Sequence, residues 1–319
     1  MERVAALLAA VVSIAGLVGC GDDGAEPGAS REATLVLDFQ PNAVHAGIYV
    51  ALEGGLFADR AVDLEVREPS SSTDAPKLLQ AGRADFAILD LNDLAIARER
   101  GLSLELVAPI VSRPLASVIA VDPAVRRPRD LEGRTVGVTG LPSDEAVLDS
   151  AVAADGGDPG AVERVTLGFD SVAALSAGSV AAATAFWNAE GVTLRRLGLS
   201  TREFRVDDYD APRYPELVLV TSSDLLGESP DLVESVRAAL AAGNEAVLAE
   251  PASGLRALLD ANPALDAGAQ RAQLDALLAA GAIATGARIR PSVLDAYGGW
   301  ATRHGIVEHR PGLEQAGAP

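Results

Sequence analysis

Thr34-Leu35-Val36-Leu37-Asp38-Phe39-Gln40-Pro41-Asn42-Ala43-Val44-His45-Ala46-Gly47-Ile48-Tyr49 opens an alternation of short apolar runs and helix-length segments. Thr34–Leu37 is a short apolar run, Asp38 to Asn42 is a polar and aromatic turn, and Val44–Glu53 has the length and patterning of a helix. The same unit recurs. Further apolar runs stand at Val62–Val66, Phe86–Leu89, Leu104–Ile110, Ser117–Val121, Thr135–Val138, Val165–Leu167, Ala181–Phe186 and Leu217–Thr221. Helical patterns lie between them at Ala75–Ala81, Asp93–Arg100, Asp144–Ala154, Ser171–Ala177 and Ala189–Leu197. Unbroken apolar strands separated by helices predict α/β sheets, parallel and covered on both faces.

After Ser222 the character changes. Asp231–Ala249, Ala252–Asp260, Ala269–Ala280 and Pro291–Arg303 read as alanine- and leucine-rich helices, punctuated by Pro230, Pro251, Pro263 and Pro291. No internal sequence repeat is visible. A chain of 319 residues exceeds the size at which one core stops growing, about 250–300 residues, so two lobes are expected. The expected division is lobe 1 at 34–119 plus 217–319 and lobe 2 at 120–216, with crossings near Ser117–Asp122 and Tyr214–Val220 forming a hinge.

Composition removes several classes of function. The chain is 49% hydrophobic and 22% charged, which excludes disorder. A net charge of −19 with a single lysine, Lys77, argues against a nucleic-acid partner, because a phosphate backbone would be repelled. One cysteine allows no internal disulfide and no cysteine-built metal site, and three scattered histidines suggest no metal centre; no cofactor is expected. Neither a nucleophile–histidine–acid pattern nor a phosphate-loop glycine pattern is present.

The N-terminus reads as an address. Val4 to Val18 is a fifteen-residue apolar run, too short for a comfortable membrane span of about 20 residues and suited to a secretory signal. It ends in Leu17-Val18-Gly19-Cys20, which resembles the lipobox of bacterial lipoproteins. The resemblance implies a signal peptide at 1–19, lipidation of Cys20, a lipid anchor in the cell membrane outside the cytoplasm, and a small, acidic tether over 20–33.

Ligands of open α/β sheets bind beyond the carboxyl ends of the strands. Candidate ligand residues are therefore sought there. The first strand is followed by Asp38, Phe39 and Asn42, with His45 and Tyr49 at helical spacing from Asn42. A second reading stands beside this one: Asn42 caps the helix and Tyr49 packs in the core. Asp90 and Asn92 follow the third strand, either as ligand groups or as caps. Thr139 and Gly140 follow another, with Ser143 placed to cap the next helix. Trp187, Asn188 and Glu190 end the strand Ala181–Phe186: an aromatic plane, an amide and a carboxylate suit a flat, hydrogen-bonding heterocycle. The alternative is a core tryptophan, a capping amide and an acid in the first helical turn.

Leu37 to Ala51, followed by Gly54-Gly55-Leu56-Phe57, resembles the opening of the NMT1/THI5-like solute-binding proteins of ABC importers. Ala75 to Asp85, Phe186 to Gly191 and Tyr214 to Leu219 are similar to the pyrimidine-binding branch. The resemblance implies a bilobal type II periplasmic-binding fold, two α/β lobes with a cleft between them and a helical C-terminal segment. It implies capture of a thiamine-precursor aminopyrimidine by cleft closure and delivery to membrane permease subunits, by a monomer that is not an enzyme. Asp38, Phe39, Asn42, His45 and Tyr49 would form one wall and Trp187, Asn188 and Glu190 the other, with Tyr214 in the same branch motif. Phe39 stands where relatives usually have tryptophan. Two other outcomes follow from the same family: a pyrimidine synthase using Lys77 and His45, for which the cysteine motif is missing, or a binder of another solute such as riboflavin or a sulfonate. Anion binders favour arginine in the cleft, and none is among the candidates.

Overall fold

A computed structural model describes residues 30–71 and 74–317; Cys20 and the signal and tether regions lie outside the described residues, apart from the last four residues of the expected tether. The elements run β1 (Arg31–Val36), α1 (Ala46–Glu53), β2 (Val62–Arg67), α2 (Asp74–Gln80), β3 (Phe86–Asp90), α3 (Leu91–Glu99), β4 (Leu104–Pro109) and β5 (Ala116–Ala120). They continue with β6 (Thr135–Val138), α4 (Pro142–Ala154), β7 (Glu163–Thr166), α5 (Ser171–Ser176), β8 (Ala182–Phe186), α6 (Glu190–Arg196) and β9 (Arg202–Arg205). After β10 (Leu217–Ser222) come α7 (Ser223–Glu228), α8 (Pro230–Ala249), α9 (Pro251–Ala261), α10 (Ala267–Ala279) and α11 (Pro291–Arg303).

Two five-stranded sheets form, in the orders β2-β1-β3-β10-β4 and β7-β6-β8-β5-β9. Both are mixed, not parallel as expected. β1 runs parallel to β2 and β3, and β6 parallel to β7 and β8, but β10 is antiparallel to β3 and β4, and β5 antiparallel to β8 and β9. The reason is connectivity. Each antiparallel strand is the one delivered from the other lobe, and it enters at the carboxyl end of its neighbour: Leu217 is the partner of Asp90, and Ala116 of Phe186. The two sheets thus repeat one strand plan without any repeat in sequence. β5 belongs to the second sheet, so the outward crossing falls before residue 116, not near Ser117–Asp122.

Burial of both sheet faces explains the unbroken apolar strands. In the first sheet Leu35, Leu37, Phe86, Ile88, Leu217 and Leu219 share one core with residues of α1, α8 and α10. Their neighbours Val36, Ala87, Leu89, Val218 and Val220 share the other with residues of α3 and α11. Strand side chains alternate faces, so each strand feeds two cores. Helices α1 and α8 cross closely: a Cβ on Gly243 would stand 2.0 Å from the Gly47 carbonyl oxygen. Strand β9 escaped the sequence reading because it is a charged edge, Arg-Glu-Phe-Arg, with only Phe204 fully buried. Helix α7 escaped because it is one short turn-and-a-half started by the Ser222 hydroxyl, which accepts the Leu225 N–H at 3.1 Å.

Candidate functional site

The carboxyl ends of β1, β3, β6 and β8 face one another across a cleft holding about 900 Å³ of empty space, including the part open to solvent. From the first lobe Asp38, Phe39, Asn42, Asp90 and Asp93 line it; from the second, Thr139, Ser143, Asp144, Phe169, Phe186 and Glu190 do.

The wall after β1 is held by a short relay. Asn42 Oδ1 accepts the Val44 N–H at 3.0 Å, and the Asn42 N–H donates to His45 Nδ1 at 3.2 Å. With Nδ1 accepting, the ring hydrogen is on Nε2, which donates to Asp38 Oδ1 at 2.9 Å. Asn42 is therefore both a cap and a cleft residue. His45 is fully buried and orients Asp38 from behind. Tyr49 does not reach the cleft. Seven residues along a helix it stands about 10 Å farther down the axis, and it packs against Ala257 and Leu258 of α9.

The opposite wall departs further from expectation. Phe186 and Glu190 line the cleft, but Trp187, one position on, points the other way. It is 1% exposed, its indole N–H donates to the Pro114 carbonyl at 3.1 Å, and the Arg205 guanidinium sits 4.2 Å from its ring centre. Asn188 is fully buried beside it, with neither side-chain atom hydrogen-bonded. Glu190 Oε2 accepts the Phe186 N–H at 3.0 Å, at the start of α6. Burial, with Asp144 and Asp38 nearby, pushes its carboxyl up to about 7.

Asp90 caps α3, its Oδ1 accepting the Asn92 N–H at 2.7 Å, while also lining the cleft. Asn92 is buried behind it, donating to the Tyr214 hydroxyl at 3.4 Å and accepting from the Tyr297 hydroxyl at 2.8 Å. Tyr214 is core, stacked on Trp300 with ring centres 5.6 Å apart. Thr139 lines the cleft, whereas Gly140, at φ 97°, turns the chain between Thr139 and Leu141.

Phe186, Phe169, Asp144, Asp93 and Ser143 line the cleft without having been candidates for it. Phe169 follows β7 and meets Phe39 edge-on, ring centres 4.5 Å apart, so each lobe supplies one aromatic to the mouth of the cleft. Its place just beyond a strand end was the available signal. Asp144 accepts the Thr139 N–H within its own lobe. Asp93 reaches across: its carboxylate accepts the Ser143 N–H at 3.2 Å and the Ser143 hydroxyl at 2.9 Å. Ser143 thus serves Asp93 and is not the cap of α4, a position held by Leu141. Burial raises the Asp93 carboxyl to about 7, and raises Asp144 as well. Neither lysine nor arginine appears among the residues lining the cleft. Among the described residues no group of three histidine, cysteine, aspartate or glutamate side chains is disposed to hold a metal ion.

Two α/β lobes joined by two crossings around such a cleft define the periplasmic-binding-protein fold. The chain belongs to the NMT1/THI5-like family, whose model matches residues 42–253. It is 31% identical over 256 residues to a formylaminopyrimidine-binding protein of Halalkalibacterium halodurans, covering 79% of this chain and 78% of that one. It is 23% identical over 175 residues to a 4-amino-5-hydroxymethyl-2-methylpyrimidine phosphate synthase of Legionella pneumophila, covering 54% and 55% of the two chains. Among solved structures it is similar to the alkanesulfonate-binding protein of Xanthomonas axonopodis bound to MOPS, with a TM-score of 0.71, 15% identity, and 88% and 96% of the chains covered.

Proposed function

We propose that this protein is the extracytoplasmic solute-binding component of an ABC importer and captures an aminopyrimidine thiamine precursor by closure of the cleft. The observation that carries the reading is the cleft wall: Asp38, Asp90, Asp93, Asp144 and Glu190 with two facing phenylalanines and no cation. Carboxylates accept hydrogen bonds from amino groups and protonated ring nitrogens, while aromatic faces hold a flat ring. A protonated aminopyrimidine edge donates twice, and Glu190 accepts both bonds as a charge-assisted pair. The similarity to a formylaminopyrimidine-binding protein supports this ligand class. A sulfonate would meet carboxylates where it needs donors. For a synthase, Lys77 is the lysine to hand, yet it is exposed on α2, where Ala75 and Pro76 line the cleft instead.

Delivery to a permease and anchoring through Cys20 complete the proposal; palmitate labelling that persists in Cys20→Ala would overturn the anchor. The ligand test is thermal shift of the soluble protein with formylaminopyrimidine, 4-amino-5-hydroxymethyl-2-methylpyrimidine, thiamine, riboflavin and taurine. A true ligand at 100 times its Kd stabilises by about 2.7 kcal/mol. Stabilisation by taurine alone, or by none of the pyrimidines, would reject the reading.

A further inference from the structure

The segment Tyr214-Pro215-Glu216 carries the chain back to the first sheet, and Glu216 is fully buried there. One of its oxygens, Oε2, accepts the N–H groups of Leu115 and Ala116, the second at 2.6 Å. Those two residues end the outward crossing. Glu216 therefore staples the two crossing segments of the hinge to each other. Its own carbonyl accepts the Leu91 N–H at 2.7 Å, and the next residue, Leu217, is the strand partner of Asp90. The Asp90 and Glu216 carboxyls also lie within hydrogen-bonding reach of each other, one lining the cleft and one gripping the hinge.

This contact has an unbalanced hydrogen-bond count. Glu216 Oε1 is buried and receives no N–H or hydroxyl hydrogen from the described residues. Asp90 Oδ1 is already engaged by the Asn92 N–H. The charged or titratable groups facing the pair are Asp93 on α3, Tyr214 on the return segment, Tyr297 on α11, and Asp207, itself ion-paired to Arg113. Among the described residues neither Asp90 nor Glu216 is ion-paired to a cation, and Arg113 is taken up by Asp207. A buried carboxylate oxygen without a donor is costly, and two carboxylates side by side do not both ionise.

We propose that Asp90 is a carboxylic acid at neutral pH and donates its proton to Glu216 Oε1, tying the floor of the cleft to the hinge through that proton. Burial raises the Glu216 carboxyl as well, to about 7, but the two amides it accepts favour its charged form, so Glu216 is the ionised member of the pair. Burial and the Glu216 charge hold the Asp90 carboxyl well above its ordinary range, in agreement with this assignment. Removal of the proton sets two anions against each other and drives Glu216 off the Leu115 and Ala116 amides, which unstaples the crossings. Because the acid form belongs to the clamped state, the clamp is complete at low pH and is lost as pH rises through the Asp90 titration.

Glu216→Gln separates this role from a merely structural one. The glutamine oxygen keeps both amides, and its NH2 donates to Asp90, which no longer needs a proton. In ligand-free protein at pH 7, infrared difference spectra of wild type minus Asp90→Asn should contain a carboxylic-acid C=O band, and Glu216→Gln should lack that band. The affinity for 4-amino-5-hydroxymethyl-2-methylpyrimidine should weaken from pH 6 to 8.5 in wild type. The slope in Glu216→Gln should be shallower by up to about tenfold per pH unit, one proton's worth. A carboxylate band in place of the acid band in the wild-type minus Asp90→Asn spectrum overturns the proposal. So do parallel pH profiles in wild type and Glu216→Gln. The affinity arm rests on the proposed ligand class; the infrared arm does not, so a failure to bind pyrimidine leaves the proton assignment decided on its own.

Discussion

The loops after β1 and β8 both stand at the carboxyl end of an inner strand, one in each lobe, yet they spend their residues differently. Asp38, Phe39 and Asn42 all face the cleft, and His45 supports them from behind. After β8 the cleft takes Phe186 and Glu190, while Trp187 turns to the hinge and Asn188 is buried away from the cleft. The difference comes from what lies underneath. The first loop rests on its own helix start, whereas the second abuts the outward crossing: the Trp187 N–H donates to the Leu115 carbonyl at 3.1 Å. A strand end beside a crossing has two clients, the ligand and the hinge, and alternate side chains are divided between them.

The largest effect that tests this division is on Trp187. Trp187→Ala removes a fully buried ring and its bond to Pro114, at a cost of about 3–5 kcal/mol of folding stability, read by chemical denaturation. Phe186→Ala, half-buried at the cleft, should instead lower affinity with a smaller loss of stability. If Trp187→Ala keeps its stability but loses ligand, the tryptophan faces the cleft and the comparison fails.

Glu190 comes next. Loss of a hydrogen bond to a charged group costs about 1.5–3 kcal/mol, so Glu190→Gln should weaken pyrimidine binding about tenfold or more at pH 7, where the carboxyl is substantially ionised. Stability should move the other way. The carboxyl is raised to about 7 by burial, above its unfolded value, so the native state holds its proton longer than the unfolded chain does. Wild-type stability therefore falls as pH climbs through that window, and Glu190→Gln should flatten the fall. Thermal unfolding of ligand-free protein from pH 4.5 to 8 reads this. Parallel curves would remove Glu190 from the buried cleft wall.

The fold was largely legible because strands buried on both faces leave apolar runs that need no partner to be recognised. Nine of the ten strands overlap the apolar runs, even the edge strands β2 and β7 that are not buried on both faces, and the exception, β9, is a charged edge. Strand direction was not legible: nothing in Leu217–Thr221 says that the chain arrives from another lobe. At the site, the strand ends were legible but the phase was not. Phe186 and Trp187 are adjacent and both aromatic, and only the neighbouring crossing decides which one faces the ligand. Asp93 was read as helix and nothing more, because its partner Ser143 is fifty positions away on the other lobe. Glu216 sat inside a quoted motif, and its meaning depends on amides at Leu115 and Ala116.

The aromatic pair sharpens the comparison of walls. Phe39 and Phe169 are both half-buried, one per lobe, so each contributes more to gripping a flat ring than to folding. Phe169→Ala should cost up to about 1.5 kcal/mol of binding, near tenfold in Kd by calorimetry, with little change in denaturation midpoint. Unchanged Kd would mean the ligand sits deeper than the mouth.

The smallest effect concerns a carboxylate that joins the walls directly. Asp93 of the first lobe accepts two hydrogens from Ser143, in the first turn of α4 of the second. Ser143→Ala deletes the hydroxyl donor and keeps the backbone donor, and alanine suits a helix at least as well as serine does. Folding stability should therefore hold while closure weakens by about 0.5–1 kcal/mol, a two- to fivefold rise in Kd. The deficit should grow with pH. The Ser143 hydroxyl favours the ionised form of Asp93, whose carboxyl burial has already raised to about 7. Without that donor the group titrates higher still, and keeping it buried and charged in the closed form becomes more costly above pH 7. Calorimetry of both proteins at pH 6 and pH 8.5 decides the matter: a gap that widens with pH places this contact in the ligand-bound state. A gap that is absent or constant means the two lobes are held together elsewhere.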